Sequence, residues 1–230
     1  MKYTATCTMA LFLFGPYVQC VCVLIFKGKM IIINEKEYTM EEISQYMIGK
    51  GRERYCYRFP DNPDIVYKIS FGKQNKQTLH EINYFKFLDR NNVPFIHIPH
   101  FWGAIKGKGY IGLKQEIILN KDGKSAITLR KLLQQNMTEE NREKIKKDLS
   151  ALFFYLYKYN ILCWDMHLDN IVLNGKTNKL VLIDGIGSKD IIPLAQYNKR
   201  FGRERIVRKC FNFLKENPTL RNLFSEYFDE

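Results

Sequence analysis

The sequence predicts an α+β protein in two halves, and three observations carry that expectation. Strand-like patterning dominates from Tyr38 to about Leu119, with a single helical segment inside it. Past Asp122-Gly123 the spacing of apolar residues becomes helical. One further hairpin stands at the front of that helical half, with Ile171 to Leu173 and Leu180 to Ile183 as its strands. With 230 residues and 46% hydrophobic content, the chain fits one domain of two lobes and falls outside the disordered class.

The elements follow in order. Residues 1–29 form an apolar leader, in which Met9 to Phe26 is broken only by Gly15, Pro16 and Gln19. It is either a membrane anchor just at spanning length or a stretch upstream of a true start at Met30. Tyr46 to Ile48, the turn Gly49-Lys50-Gly51 and Arg54 to Phe59 read as strand, turn and strand. Pro60 to Asp64 has loop chemistry, and the β-branched run Ile65 to Ile69 is the strand behind it. Thr78 to Leu88 carries Ile82, Phe85 and Leu88 at helical spacing and ends before Asn91-Asn92 and Pro94. Phe101 to Ile105 and Tyr110 to Leu119 make a hairpin. Thr128 can cap the helix that follows it, and Asn141 to Tyr159 aligns Ile145, Leu149, Leu152, Phe153 and Leu156 on one stripe. The tail is helical again, before and after Pro218. The expected division is therefore 1–29 leader, 30–119 N-terminal lobe and 120–230 C-terminal lobe, an order used by bilobal protein-kinase-like folds.

A formal charge of +12 suits an anionic partner without choosing among nucleotide, membrane surface and nucleic acid. The six cysteines contain no CxxC pair and no zinc spacing with histidine, so a reduced, cytoplasmic thiol set is expected. No RNP, zinc-finger or helix-turn-helix signature marks a nucleic-acid binder. Lys199, Arg200, Arg203, Arg205, Arg208 and Lys209 could line a basic helix face toward a membrane, although a solvated surface explains them more simply.

Transfer of a terminal phosphoryl group needs a cation on the phosphates, an amide and a carboxylate around a metal, and a carboxylate near the attacking hydroxyl. Lys68 lies in the strand IVYKI with Val66 on the same face, so Val66 would cover a purine while Lys68 reaches phosphate. Glu81 borders the apolar stripe of its helix and needs a cation there, for which Lys68 is the natural partner. Gly49 and Gly51 would admit phosphate oxygens to the backbone. The third glycine of a G-x-G-x-x-G loop is replaced by Arg54, which with Arg52 could add phosphate contacts but reads more simply as surface charge. Asn170 starts one strand of the later hairpin and Asp184 ends the other, so both reach one edge, where they would hold Mg2+. Asp165, five positions before Asn170, would remain free to accept the acceptor's proton. Each residue alone reads as a loop-capping or exposed polar group; the set in this order carries the chemistry.

The segments IGKGRERYCYRFPDNPDIVYKI, TLRKLL, NIVLN and VLIDGIGSKDIIPLA resemble the YrbL family of bacterial proteins, named for the PhoP regulatory network, within the kinase-like superfamily. The likeness runs from about Ile48 to Phe213. CWDMHLDN is similar to the H-G-D-x-H-x-x-N loop of aminoglycoside and lipopolysaccharide kinases, which places Asp165, His167 and Asn170 at matching positions. Asp184-Gly185-Ile186-Gly187 resembles a variant of D-F-G. Three departures stand out: Cys163 replaces the usual histidine, Gly185 replaces the aromatic, and no A-P-E segment follows. The resemblance implies an ATP- and Mg2+-dependent phosphotransferase. Its acceptor would be a sugar or glycan hydroxyl rather than a protein, since few residues remain after Asp184. The alternative is a nucleotide-binding pseudokinase that acts as a regulator. Either would work in the cytoplasm, held at the inner membrane face if residues 1–29 insert.

Overall fold

The computed structural model describes residues 30–51, 54–72, 75–135, 137–188, 190 and 194–228. Residues 1–29, Arg52 and the expectations attached to them lie outside that set. The fold is mixed α+β, and the chain divides into two compact units between Gln45 and Tyr46.

The first unit is a small hairpin and helix: β1 (Ile31–Ile33), β2 (Lys36–Tyr38) and α1 (Met40–Ser44). Asn34 and Glu35 both take positive φ, as a two-residue turn between antiparallel strands demands. Thr39 caps α1, and Glu42 returns the bond to the Thr39 backbone.

The second unit begins with a five-stranded antiparallel sheet of order β3-β4-β5-β7-β6, built from β3 (Met47–Lys50), β4 (Tyr55–Tyr57), β5 (Ile65–Phe71), β6 (Phe101–Gly107) and β7 (Tyr110–Glu116). The embedded helix α2 (Lys76–Arg90) packs on β6 and β7 through Ile82, Phe85 and Leu88. A short strand β8 (Ile127–Thr128) leads into α3 (Leu129–Leu133), whose first turn Thr128 caps. The long helix α4 (Glu139–Tyr159) starts at the Thr138 cap and ends on Asn160, which adopts the left-handed conformation of a helix stop. β9 (Ile171–Asn174) and β10 (Lys179–Leu182) form the expected hairpin, and β8 adds a third strand to it. The chain closes with α5 (Leu194–Tyr197), α6 (Lys199–Glu216), α7 (Pro218–Leu223) and a 3-10 turn at Ser225–Tyr227.

Within the second unit, one continuous apolar core joins α2, β6 and β7 to the helical half. Phe85, Leu88 and Leu113 from the sheet and its helix meet Leu129, Leu149, Leu152, Leu156, Ile171, Leu182 and Phe213. Ile145, Leu149, Leu152 and Leu156 of the expected α4 stripe are buried, and Phe153 packs partly buried against them. His97 stitches the loop before β6 to the hairpin, because its Nδ1 donates to the Leu180 carbonyl at 2.7 Å and its own carbonyl accepts from Leu182 N at 2.9 Å. Among the described residues, no helix is long and apolar enough to cross a membrane.

Candidate functional site

Alternation along β5 sends Val66, Lys68 and Ser70 to one face of the sheet and Tyr67 and Ile69 to the other. Lys68 lies opposite Leu113 on β7 and Cys56 on β4, in the interior of the sheet, and only 9% of it is exposed. A charged stem so placed must find oxygens. Its Nζ donates to the Ile183 carbonyl at 2.8 Å and stands 3.9 Å from Asp184 Oδ1 and 4.0 Å from Glu81 Oε1.

Glu81 is brought there by α2, and a second polar contact fixes the helix against the strand. Ser70, two residues beyond Lys68, hydrogen bonds the hydroxyl of Thr78, one helical turn before Glu81, at 2.7 Å. Both hydroxyls are buried, so the α2–β5 approach is pinned beside the charged pair. Glu81 itself is 5% exposed. Its nearest cation, however, is not the one the sequence suggests.

That cation is Arg54, which corrects the expectation of a surface charge. The turn between β3 and β4 closes with Gly51 N donating to Arg54 O at 2.8 Å, and the Arg54 side chain runs inward until the residue is 7% exposed. Its Nη1 bonds Glu81 Oε2 and its Nη2 donates to Asp184 Oδ1 at 2.9 Å. Burial alone would lower the guanidinium pKa, but the Glu81 and Asp184 carboxylates outweigh burial and hold it above its ordinary value. Asp184 shows the converse. Burial among protein atoms would raise its pKa; the Lys68 ammonium and Arg54 guanidinium outweigh that effect and hold it below the usual carboxylate range. The signal that marks Arg54 in the sequence is its place at the missing third glycine, where a long side chain has no reason to stand unless it points somewhere specific.

Asp165 is delivered by the loop after α4, which runs antiparallel to residues 185–187. Trp164 N donates to Gly185 O at 2.9 Å, Gly187 N donates to Leu162 O at 2.8 Å, and Cys163 and Ile186 form a bridge. Gly185 has φ +73°, and an added Cβ there would meet the Asp165 backbone oxygen and lie 2.7 Å from Asp165 Cβ. The glycine that replaces the expected aromatic is thus imposed by how closely the two loops pass. The Asp165 carboxylate stays half-exposed, with His167 Nε2 at 3.7 Å. Arg130 of α3 grips Asp169 through a forked pair at 2.8 Å and steadies the loop from outside.

Asn170 lies where the hairpin argument puts it, with its backbone oxygen accepting from Ile183 N at 2.8 Å and its Nδ2 donating to Asp165 O at 3.1 Å. Gly49 and Gly51 sit on β3 and at the turn, where a Cβ would meet neighbours only at 3.9 and 3.6 Å. Packing therefore does not require glycine at either position. Val66 shares the Lys68 face, and so does Gln115, its partner on β7. Gln115 is fully buried, and neither of its amide atoms has a hydrogen-bond partner in the protein. A single glutamine between Lys114 and Glu116 carries no sequence signal, and reasoning from sequence missed it.

Two oxygens of the donor set are already engaged, which disfavours a divalent ion on them. Asp184 Oδ1 already accepts from Arg54 and from Gly185 N at 2.9 Å, and Glu81 Oε2 is taken by Arg54. A divalent ion about 4 Å from the guanidinium would be repelled by about 8 kcal/mol at the effective dielectric of a partly buried site. Among the described residues, no group of three or more His, Cys, Asp or Glu could hold a metal.

The basic tail is less free than its sequence implies. Arg205 pairs with Asp190, Arg203 packs over the Tyr157 ring, and Arg200 pairs with Glu204.

A family model described as PhoP regulatory network protein YrbL matches residues 42–218. The chain belongs to the YrbL family. It is 29% identical over 164 residues to the uncharacterized protein YrbL of Escherichia coli (strain K12), covering 67% of this chain and 77% of that relative. The uncharacterized protein YrbL of Shigella flexneri matches with the same identity and coverage. The YrbL match spans β3 to α6 and so contains every residue of the charged cluster.

Proposed function

We propose that this YrbL-family protein is a kinase-like phosphotransferase that binds ATP between its antiparallel sheet and its helical half and passes the terminal phosphoryl group to a hydroxyl acceptor. One observation carries the reading. Lys68, Glu81 and Asp184 come from three distant segments and converge within 4.0 Å, with the Asp165 loop bonded directly to the residue after Asp184. In this reading Lys68 is the phosphate clamp, Glu81 and the Ser70–Thr78 contact orient it, and Val66 and Gln115 face the purine. Gly49 and Gly51, which the fold does not require, leave the backbone open to phosphate oxygens.

Asp165 would accept the proton of the acceptor hydroxyl as its oxygen bonds the γ-phosphorus. The bond to the bridging oxygen breaks, and ADP leaves with that electron pair. The likeness of CWDMHLDN to the loop of aminoglycoside and lipopolysaccharide kinases favours a sugar or glycan hydroxyl as acceptor. The test is transfer of label from ATP to a panel of such acceptors, with and without Mg2+, by the wild type and Asp165→Asn. Transfer by the wild type and a loss of at least a hundredfold in the variant are expected; equal turnover would remove the catalytic role.

A second reading is favoured by Arg54. A guanidinium bonded to both acids of the site suits a regulator that senses nucleotide without transferring phosphate. It predicts thermal stabilisation by ATP in wild type and Asp165→Asn alike, with no turnover in either.

A further inference from the structure

We propose that Arg54 is the built-in cation of this site, and that the protein binds nucleoside polyphosphate without a divalent metal. The inference rests on the nucleotide reading above, in either of its forms, and departs from the Mg2+ dependence that the sequence leads one to expect.

Three features of Arg54 support it. The first is position: the guanidinium sits between Glu81 and Asp184, the second being the carboxylate expected to bind the metal, and bonds both. Any ion placed on Asp184 Oδ1 would have to displace a hydrogen bond of 2.9 Å. The second is charge. Arg54 and Lys68 supply two positive charges against the two of Glu81 and Asp184, so no negative charge is left over to attract a metal. Glycine in place of Arg54 would leave one. The third is capacity. A guanidinium carries five N–H donors, and Nη1 and Nη2 spend one each on the acids, so the others remain for phosphate oxygens in the planar fork that suits them.

Among the described residues, Arg54 is the cation that hydrogen bonds both acids, and Lys68 complements it as the phosphate clamp. Lys68 is committed to the Ile183 carbonyl at 2.8 Å and lies farther than Arg54 from both acids. Arg54 also enters from the β3–β4 turn, the segment that would cover the phosphates, so binding and neutralisation are coupled in one loop. Arg54 thereby becomes a specificity-determining residue: it favours a ligand that brings phosphate oxygens of its own and no metal.

The experiment is calorimetric titration of the full chain with ATP in EDTA and again in excess Mg2+, for the wild type, Arg54→Ala and Arg54→Lys. Wild-type affinity is expected to agree within about threefold between the two buffers. Arg54→Ala should lose at least tenfold in EDTA and recover part of that loss in Mg2+. Arg54→Lys, which keeps the charge and most of the reach, should stay metal-independent but weaker, and it serves if the alanine variant fails to fold. A second arm titrates Mn2+ alone and follows its paramagnetic signal: no binding to wild type and gain of binding in Arg54→Ala are expected. ATP binding by wild type that weakens tenfold or more in EDTA overturns the proposal while leaving the nucleotide reading intact. Mn2+ binding of equal strength in wild type and Arg54→Ala also overturns it. Absence of ATP binding in both buffers overturns the nucleotide reading, and the proposal falls with it.

Discussion

Replacing Glu81 with glutamine should expose what the charged cluster costs and what it holds. The side chains of Arg54 and Glu81 are 9% and 5% exposed, so the pair is almost fully removed from water. Neutralising one member of such a pair costs about 3–5 kcal/mol, because the remaining charge stays buried without compensation. Asp184 still faces the same guanidinium at 2.9 Å, but its side chain is 42% exposed and screened on that side, so it compensates only in part. The expected loss is therefore at the lower end, about 3 kcal/mol. Replacing both partners with methionine removes the desolvation cost together with the attraction. Arg54→Met/Glu81→Met should unfold within about 1 kcal/mol of wild type or be more stable. Urea titrations followed by far-UV circular dichroism, with equal slopes for all variants, give these differences and their coupling. Glu81→Gln within about 0.5 kcal/mol of wild type, or a double variant worse than the sum of the singles, would refute a buried pair at this position.

Three further predictions follow. Acid should destabilise the fold in two steps of the same sign. Burial holds the buried His97 imidazole below its ordinary pKa of 6.5, so its contribution is complete above about pH 6.5 and is lost as pH falls toward the lowered value, where the unfolded chain binds more protons. Asp184, also held below its ordinary 3.8, contributes fully above that value and loses its share only as pH falls through the lowered one. Urea midpoints between pH 8 and pH 3 read both steps, and His97→Gln should remove the upper one; a flat profile from pH 7 to pH 5 would contradict the assignment. Gly185→Ala should destabilise by at least about 1–2 kcal/mol from its φ of +73° alone and lower any turnover by displacing Asp165; wild-type stability in calorimetry would show that the two loops can part. Gln115→Met removes two buried amide atoms that lack partners, each costing about 1–3 kcal/mol, and should raise the unfolding free energy while weakening nucleotide binding. A drop of more than about 1 kcal/mol would mean that the amide is satisfied in solution.

The sequence makes legible whatever repeats or alternates. The α4 stripe, the alternation in β5 and the loop chemistry between them produce the expected elements within a few residues at each end. Weak periodicity hides the rest. β8 has two residues, and β1 and β2 have three each, too short for alternation to register, and the turn at Asn34-Glu35 lacks the glycine that usually advertises a hairpin. At the site, Lys68, Glu81 and Asp184 were readable because each interrupts an apolar pattern. Arg54 was harder to read, because it stands in a polar loop where charge is ordinary, and its place at the missing third glycine does not say where its side chain runs. Gln115 was invisible for the opposite reason: its isolation shows only once both neighbouring strands are in place.

A buried ion pair is weak evidence for stability, since well-packed apolar groups of similar volume would serve as well or better. The cluster of Arg54, Lys68, Glu81 and Asp184 therefore needs another reason to exist, and its exposure pattern supplies one. Three of its members are nearly buried, while Asp184 keeps 42% of its side chain in solvent and shares its Oδ1 between a guanidinium, an ammonium 3.9 Å away and a backbone amide. Such a group is held ionised at the protein surface by cations beneath it. In the proposed reading an incoming phosphate would meet the guanidinium beside Asp184, on the N–H donors that the acids do not occupy, so that no fresh pair of charges has to be desolvated. Stability alone would favour an apolar cluster; a site that receives an anion would favour the one observed here.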